Sequence, residues 1–209
     1  MTSLKGQVLV LDACALINLA ATGKTDVVRL ALECEFHVAR KAFDEAEVDP
    51  VTGRRHAKHL QPLVDAAVLK VADLDEATEE LFVDVASTVG DGEAATIAYG
   101  LTRGALMVTD DGPAIEAWRR RTSTVALSTA GLLRCREVEV ALGLDGLRAC
   151  VMLALTVGRM RVLPNEEPWL ENLLPPAQLV ACPSLRFAVR ERARQRVRLA
   201  ENLGQGEMF

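Results

Sequence analysis

Carboxylates follow two apolar runs of this sequence, at the point where each run ends. Asp12 closes the run GQVLVLD, and the pair Asp110 and Asp111 closes the run ALMVTDD. Both runs are typical of strands that are buried on both faces of a sheet. The carboxyl ends of parallel strands share one edge, which is where open α/β sheets bind their ligands, so we expect these acids to converge.

Two further acids belong to helices that should pack on the same sheet. Glu93 opens the predicted helix GEAATIAYG and shares the apolar stripe that faces the sheet. Glu45 is placed to point inward from the short predicted helix KAFDEAEV, where Asp44 and Glu47 are its close rivals. Four acids at one edge without a basic partner would repel one another unless a divalent cation lay among them. Because oxygen ligands suit Mg²⁺ or Mn²⁺, the sequence predicts a site for one of these ions.

The elements that must position these acids alternate between strand and helix. Besides the two runs above, strands are predicted at FHVAR, VLKVADL and STVALST, with helices between them. The alternation predicts an α/β protein with three layers, α/β/α, around a central parallel sheet. We assign residues 1–163 to this domain. Residues 164–209 form a C-terminal extension that is expected to be loop-rich over NEEPWLENLLPPAQLVACP and then a basic helix.

The charge of the chain is unevenly distributed. Its formal net charge of -5 argues against non-specific electrostatic binding of nucleic acid by the whole protein. The C-terminal segment nevertheless contains Arg190, Arg194 and Arg198 at a spacing of four, which would form one basic stripe on a helix. This stripe is a candidate for binding RNA or an acidic partner, and a solvated helix face is the ordinary alternative.

The cysteines and the apolar runs indicate a cytoplasmic protein. No apolar run reaches the roughly 18 residues that a membrane span needs, and no secretory cleavage pattern follows the N-terminus. His56 and His59, three positions apart in a polar loop, are more typical of solvated side chains than of a zinc site. Five scattered cysteines encode neither a disulfide framework nor a zinc site and are expected to be small buried residues: Cys14, Cys34, Cys135, Cys150 and Cys182.

In their order along the chain these segments resemble a known family. VLVLDACALINLA, the helix with Glu45, GDGEAATIA with Glu93, and ALMVTDD are similar to the successive motifs of the PIN-domain nucleases, many of which are VapC-type ribonuclease toxins. The resemblance covers about residues 7–135, and LSTAGLL is similar to the family's end of sheet. Asp12, Glu93 and Asp110 match in residue type, order and context. The chain departs from the family in the short helix around position 45 and in the longer segment after position 164.

The resemblance implies an endoribonuclease that depends on Mg²⁺ or Mn²⁺ and acts on an RNA substrate, leaving a 5′-phosphate and a 3′-hydroxyl. One or two ions would bind the scissile phosphate and lower the pKa of the attacking water. A cognate antitoxin is the implied partner, and the apolar helix LDGLRACVMLALTVGRM makes a homodimer a further expectation. The expected ligands are Asp12, Glu45, Glu93 and Asp110, with Asp111 either a ligand or a helix cap, and Asn18 and Thr109 are expected to orient them.

Other classes of protein fit the sequence less well. The pattern Gly90-x-Gly92-x-x-Ala95 matches a dinucleotide-binding fingerprint, but it follows a helix rather than a strand, and Glu93 would lie beside the pyrophosphate. A haloacid-dehalogenase phosphatase needs a second aspartate where this chain has Cys14. A phosphoacceptor signalling domain needs a lysine at the end of a late strand, and STVALST has none. The main alternative is a PIN-like scaffold that binds RNA or protein without cleaving.

Overall fold

The structure, a computed structural model, describes residues 3–48 and 57–206. Residues 49–56, which include His56, lie outside the described residues, as does the side chain of His59. The described strands form one fully parallel sheet with the spatial order third, second, first, fourth. They are β1 (Val8–Leu11), β2 (Glu35–Ala39), β3 (Leu69–Ala72) and β4 (Leu106–Val108).

Helices cover both faces of this sheet, which confirms the predicted three-layer α/β/α class. In chain order they are α1 (Ala13–Thr22), α2 (Thr25–Leu32), α3 (Arg40–Glu47), α4 (Ala57–Asp65), α5 (Glu76–Ala86), α6 (Asp91–Arg103), α7 (Gly112–Arg119), α8 (Thr129–Leu133), α9 (Arg136–Leu153), a π-helical turn (Ala154–Gly158), α10 (Glu167–Leu173), α11 (Pro176–Ala181) and α12 (Phe187–Gly206).

The alternation of side chains along β1 builds two cores, one on each face of the sheet. Leu9 and Leu11 point into the larger core, to which α1, α2, α8 and α9 contribute. Val10 points the other way, into a smaller core that includes Ile97 of α6 and Trp118 of α7. The acidic edge of the sheet therefore lies between two layers that are each packed independently.

The predicted strand STVALST is wrong in extent. Only Leu127 pairs with the sheet, through a parallel bridge to Val108. Its N–H donates to the Met107 carbonyl, and its carbonyl accepts from Thr109 N–H. Ser128 then caps α8, so the chain turns into a helix directly after one bridging residue. β4 is itself only three residues long, which leaves little ladder for a neighbouring strand to extend.

The expectation of a loop-rich segment after residue 164 is also wrong, because α10 and α11 lie there. Pro168 and Pro176 occupy the first turns of these helices, where the missing N–H costs nothing, so the prolines begin helices rather than break them. The apolar side chains of the extension, Leu170 and Leu179 among them, belong to the same core as the sheet. The extension is therefore packed onto the α/β domain as part of it.

The helical stretch Arg136–Gly158 is long and apolar enough to cross a membrane by length and composition alone, which is weak support for a span. Within the fold it is interrupted at Gly143, whose φ of 65° is not helical, so the predicted helix LDGLRACVMLALTVGRM begins directly after this break. Leu147 and Val151 on its inner face are buried in the larger core.

Two glycines in helices test how tightly the layers are packed. A Cβ at Gly100 would lie 2.8 Å from Cζ3 of the buried Trp118, whereas a Cβ at Gly146 would meet only Leu142 Cβ at 3.5 Å. We expect Gly100→Ala to lower the free energy of unfolding by about 1–3 kcal/mol through overpacking. Gly146→Ala should raise it by about 0.5–1 kcal/mol through helix propensity. Urea unfolding measures both variants, and equal effects of the same sign would contradict this packing.

Candidate functional site

The ends of β1 and β4 place two aspartates side by side at the carboxyl edge of the sheet. Asp12 follows β1 and caps α1, while Asp110 follows β4 by two residues. The Asp12 N–H donates to the Val108 carbonyl at 2.9 Å, which locks the two strand ends together. Each aspartate is 2 % exposed. The convergence expected from the strand pattern is thus present in the fold.

Asp12 is held by donors from its own helix and from β4. Its Oδ1 accepts from Ala13 N–H at 2.8 Å. Its Oδ2 accepts from Thr109 Oγ1 at 2.8 Å and from Cys14 Sγ at 3.2 Å. Thr109, predicted from sequence to orient a carboxylate, thus contacts Asp12 directly, and the carboxylate plane is fixed from both sides.

Asp110 is held by a different set of donors. Its Oδ1 accepts from Thr129 N–H at 2.8 Å, and its Oδ2 accepts from Thr129 Oγ1 at 2.6 Å and from Asn18 Nδ2 at 2.7 Å. Asn18 reaches Asp110 from α1, one and a half turns beyond Asp12, which is the position that the sequence analysis singled out. The other amide atom of this side chain, Asn18 Oδ1, is buried and has no hydrogen-bond partner among the described residues.

Burial of the two aspartates raises their pKa values. The pKa of Asp12 rises to about 6, first because of burial and then because of the nearby Glu93 carboxylate. The pKa of Asp110 also rises to about 6, chiefly through burial, although its hydrogen bonds from Thr129 and Asn18 oppose the shift. In the described part of the chain, neither carboxylate forms an ion pair with a lysine or arginine. The edge therefore holds two acids whose charge the protein does not neutralise.

Glu45 and Glu93 meet at the start of α6, beside this pair. Gly92 N–H donates to Glu45 Oε1 at 2.9 Å, so Glu45, rather than the exposed Asp44, reaches across from α3. Burial raises the pKa of Glu45, and the Glu93 charge adds to the shift. A Cβ at Gly92 would lie 2.0 Å from Glu45 Oε2, and one at Gly90 would lie 2.4 Å from Glu93 Oε2. The two glycines of GDGE thus leave the space that the two glutamates occupy.

Asp111 adopts the role of helix cap, which was one of its two expected roles. Its Oδ1 accepts from Ala114 N–H at 3.1 Å at the start of α7. Its Oδ2 lies 3.3 Å from Nη1 of Arg161. Both oxygens are therefore in contact with a donor from the chain, and its role as a metal ligand stays a prediction.

The donor set can be tested against a divalent cation. The carboxylates at this edge offer only oxygen, and the burial of two of them without a basic partner leaves negative charge that a cation would balance, so the chemistry fits Mg²⁺ or Mn²⁺. Within residues 3–48 and 57–206, however, no three His, Cys, Asp or Glu side chains form a ready-made group of metal ligands. Asp12 and Asp110 would provide the central ligands, with Glu93 and Glu45 at the margin.

The sequence patterns did not predict four residues that shape this site. Cys14 was expected to be a small buried residue, but its thiol donates to Asp12 and accepts from Asp110 N–H at 3.3 Å. Burial and both aspartates raise the pKa of that thiol, so it stays protonated and can donate. Thr129 supplies two donors to Asp110, and its neighbour Ser128 donates to the buried Glu166 of the extension. The run LSTAGLL was the signal for these hydroxyls, but it was interpreted only as the end of the sheet.

The arginines predicted to bind RNA lie on α12, and two other arginines of the same segment form ion pairs within the fold. Arg186 and Arg192 form ion pairs with the buried Glu167 of α10. Within the predicted stripe, Arg194 pairs with Glu191 at 3.0 Å, and the Nε of Arg190 is buried. Arg198 is exposed. The segment is thus less uniformly basic than its sequence suggests, and RNA binding by Arg190, Arg194 and Arg198 stays a prediction.

Comparison with known proteins places the α/β part of the chain in a family. A family model described as PIN domain matches residues 8–134, which contain Asp12, Glu45, Glu93 and Asp110. No curated protein matches the chain. The crystal structure of PAE2754 from Pyrobaculum aerophilum is similar at 19 % identity and a TM-score of 0.43, covering 62 % of this chain and 88 % of that one.

The raised pKa values predict how stability depends on pH in the metal-free protein. The folded chain keeps a proton on each of the two aspartates up to about pH 6, whereas a free aspartate loses its proton near pH 3.8. The stabilisation of the fold by these two protons is therefore complete below about pH 4 and is lost as the pH rises through 6. We expect the free energy of unfolding to fall by roughly 2–3 kcal/mol for each of the two carboxyl groups over this pH range. Urea unfolding in EDTA should show the loss in the native chain and a flatter profile in the Asp12→Asn, Asp110→Asn variant.

The matched control for that experiment is Asp145→Asn, because the Asp145 side chain is 98 % exposed. This variant should keep the native pH profile. Parallel profiles for the native chain and the double variant would contradict the assignment of the pH dependence to the buried pair.

Proposed function

Because the chain belongs to the PIN-domain family, whose members are nucleases, we propose that it is an endoribonuclease dependent on Mg²⁺ or Mn²⁺ that acts in the cytoplasm. The observation that supports this proposal most strongly is the pair of buried aspartates, Asp12 and Asp110. Each has a pKa of about 6, and neither is paired with a base in the described part of the chain. A site built in this way gains stability when a divalent cation supplies the missing positive charge.

In such an enzyme the residues at this edge would have two roles: the aspartates would bind the cation, and their neighbours would orient the aspartates. Asp12 and Asp110 would hold a divalent cation, which would supply a Lewis acid for the scissile phosphate and for the attacking water. Thr109 and Ala13 N–H keep the Asp12 carboxylate in one orientation, and Thr129 with Asn18 do the same for Asp110. Carboxylates that are oriented before the substrate arrives need no rearrangement at the moment of reaction.

The hydrolysis that we propose breaks one phosphodiester bond of the RNA and leaves the phosphate and the sugar otherwise unchanged. The water oxygen forms a bond to phosphorus in line with the bond that breaks, the P–O3′ bond. The 3′ oxygen leaves with a proton, so the products are a 5′-phosphate and a 3′-hydroxyl. Glu45 and Glu93 lie beside the two aspartates, where their negative charge would add to the attraction of this edge for a divalent cation.

A non-cleaving PIN-like module that binds RNA or protein is the second candidate. The observation that favours it is the engagement of both oxygens of Asp12 and Asp110 by donors of the chain, together with the lack of a ready-made three-ligand group among the described residues. Such a module would keep the fold and bind RNA while leaving it intact. Cleavage that is abolished by EDTA separates the two candidates.

We expect Asp12→Asn or Asp110→Asn to reduce cleavage of a labelled single-stranded RNA by at least about a hundredfold in the presence of Mn²⁺. Each change is nearly isosteric and removes one ligand charge, so the fold should persist, with an equal or higher melting temperature in the metal-free state because repulsion falls. The readouts are initial rates and thermal unfolding, with Asp145→Asn as the control. Undiminished cleavage in either variant would remove that aspartate from the mechanism.

The proposal includes a partner protein, either a cognate antitoxin or a second copy of the chain. Its support is a set of apolar side chains that the fold leaves exposed on neighbouring helices. Leu30 of α2 is 62 % exposed, and Val140 and Leu144 of α9 are 73 % and 57 % exposed. Because α2 packs against α9, these exposed side chains belong to two adjacent helices, where a partner would bury them.

Light scattering at micromolar concentration tests this part of the proposal. We expect the purified chain to have the mass of a dimer or to copurify with a small partner in about equal amounts. Replacing Val140 and Leu144 by Asp should release the monomer, because burying two carboxylates at an interface opposes association. A native chain that is monomeric and copurifies with no partner would contradict the proposal.

A further inference from the structure

The segment that joins the π-helical turn to α10 brings two arginines to the acidic edge. Arg159 and Arg161 line a pocket of about 190 Å³ whose other walls include Asp110, Asp111 and Cys14. Both arginines lie outside residues 8–134, which the family model matches. The pocket therefore combines the acids of the α/β domain with cations that come from the rest of the chain.

The backbone of this segment is fixed against the residues that orient Asp110. A Cβ at Gly158 would lie 2.6 Å from Asn18 Oδ1 and 3.0 Å from Asn18 Cα, so only glycine allows this approach to α1. The next residue, Arg159, has a φ of 64°, a left-handed conformation that costs a residue with a side chain about 1 kcal/mol or more. Met160 is fully buried and anchors the segment between the two arginines.

Neither guanidinium group contributes much to the stability of the fold. Arg159 is exposed and forms no ion pair with a residue of the described chain, while Arg161 Nη1 lies 3.3 Å from Asp111 Oδ2 with 71 % of its side chain exposed. A surface pair of this kind is worth little to stability. Two arginines of the C-terminal segment differ, since Arg186, just before α12, and Arg192, within it, are paired with the buried Glu167.

We propose that Arg159 and Arg161 bind phosphate groups of the RNA strand next to the phosphate that is cut. This inference rests on the proposed function and assigns substrate binding at the site to the segment after the π-helical turn rather than to α12. A polyanion that approaches an edge with four carboxylates on a chain of net charge -5 is repelled unless cations lie beside its path. The planar guanidinium matches phosphate oxygens, and the fixed backbone places both arginines in the wall of the pocket.

The test uses the full chain and a fluorescent single-stranded RNA of mixed sequence. Binding is measured by anisotropy in EDTA over a range of KCl concentrations, and kcat and KM are measured with Mn²⁺. The variants are Arg159→Asn, which tolerates the left-handed backbone, Arg161→Gln, and their combination. Arg159→Lys and Arg161→Lys keep the charge. Arg119→Gln is the matched control, because Arg119 is a 75 % exposed arginine at the far end of α7.

We expect each neutral variant to raise Kd and KM about threefold to fivefold and to leave kcat within twofold. The slope of log Kd against log salt should decrease by about 0.7 for each lost phosphate contact on a single strand, and so by about 1.4 in the double variant. The lysine variants should keep most of the slope. The control should match the native chain in every measurement.

Several outcomes would overturn the inference, and they differ from failure of the proposed function. If the native chain cleaves RNA and the double variant keeps its Kd, KM and salt slope, the inference is wrong and the proposed function stands. The same holds if replacing Arg190, Arg194 and Arg198 by Gln flattens the slope while the double variant does not. If the native chain binds RNA without cleaving it, the proposed reaction fails, but the salt slopes still decide the role of the two arginines. A chain that neither binds nor cleaves RNA overturns both.

Discussion

Two carboxylates buried side by side at the end of a parallel sheet impose the constraint on which the surrounding structure depends. Asp12 and Asp110 are each 2 % exposed and pair with no base in the part of the chain that the structure describes. A buried acid is tolerated only when its oxygens are satisfied, and here hydrogen-bond donors come from α1, from the end of β4 and from the start of α8. Three separate elements must therefore meet at one point, and the bridge between Leu127 and Val108 brings the start of α8 to the end of β4.

The C-terminal extension is coupled to this point through its own contacts. Glu166, which is only 2 % exposed, accepts a hydrogen bond from Ser128 Oγ at the cap of α8. Thr129, the residue after Ser128, donates to Asp110. Arg161 contacts Asp111 on the other side of the edge. Because α10 to α12 share the larger core with the sheet, removing the extension would expose apolar surface and loosen the donors of Asp110 together. A segment beyond the family match thus helps to define the geometry of the acidic edge.

Local patterns predicted the elements well where one periodic signal dominated. The runs before Asp12 and Asp110 became neighbouring parallel strands, and the stripe that includes Gly100 faces the sheet. Predictions were wrong where a tertiary contact decided the outcome. STVALST has strand propensity, but only Leu127 finds a partner, and the prolines after position 164 begin helices because Leu170 and Leu179 can be buried on the same core. Propensity describes what a segment prefers alone, whereas packing decides which preference is realised.

The sequence by itself determined the fold class, the order of the acids and the edge at which they meet, because strand polarity and hydrophobic periodicity are properties of the chain read locally. Only the tertiary structure decided which side chains support those acids. Cys14, Thr129 and Glu166 carry no periodic signal. Thr129 contacts Asp110 across 19 residues of the chain, Cys14 contacts it across 96, and Glu166 contacts Ser128 across 38. Which of the arginines remain available to a ligand was likewise decided in three dimensions, since Arg192 found a buried carboxylate and Arg159 found none among the described residues. The choice of partners depends on distances across the fold, and such distances are set only when the layers pack.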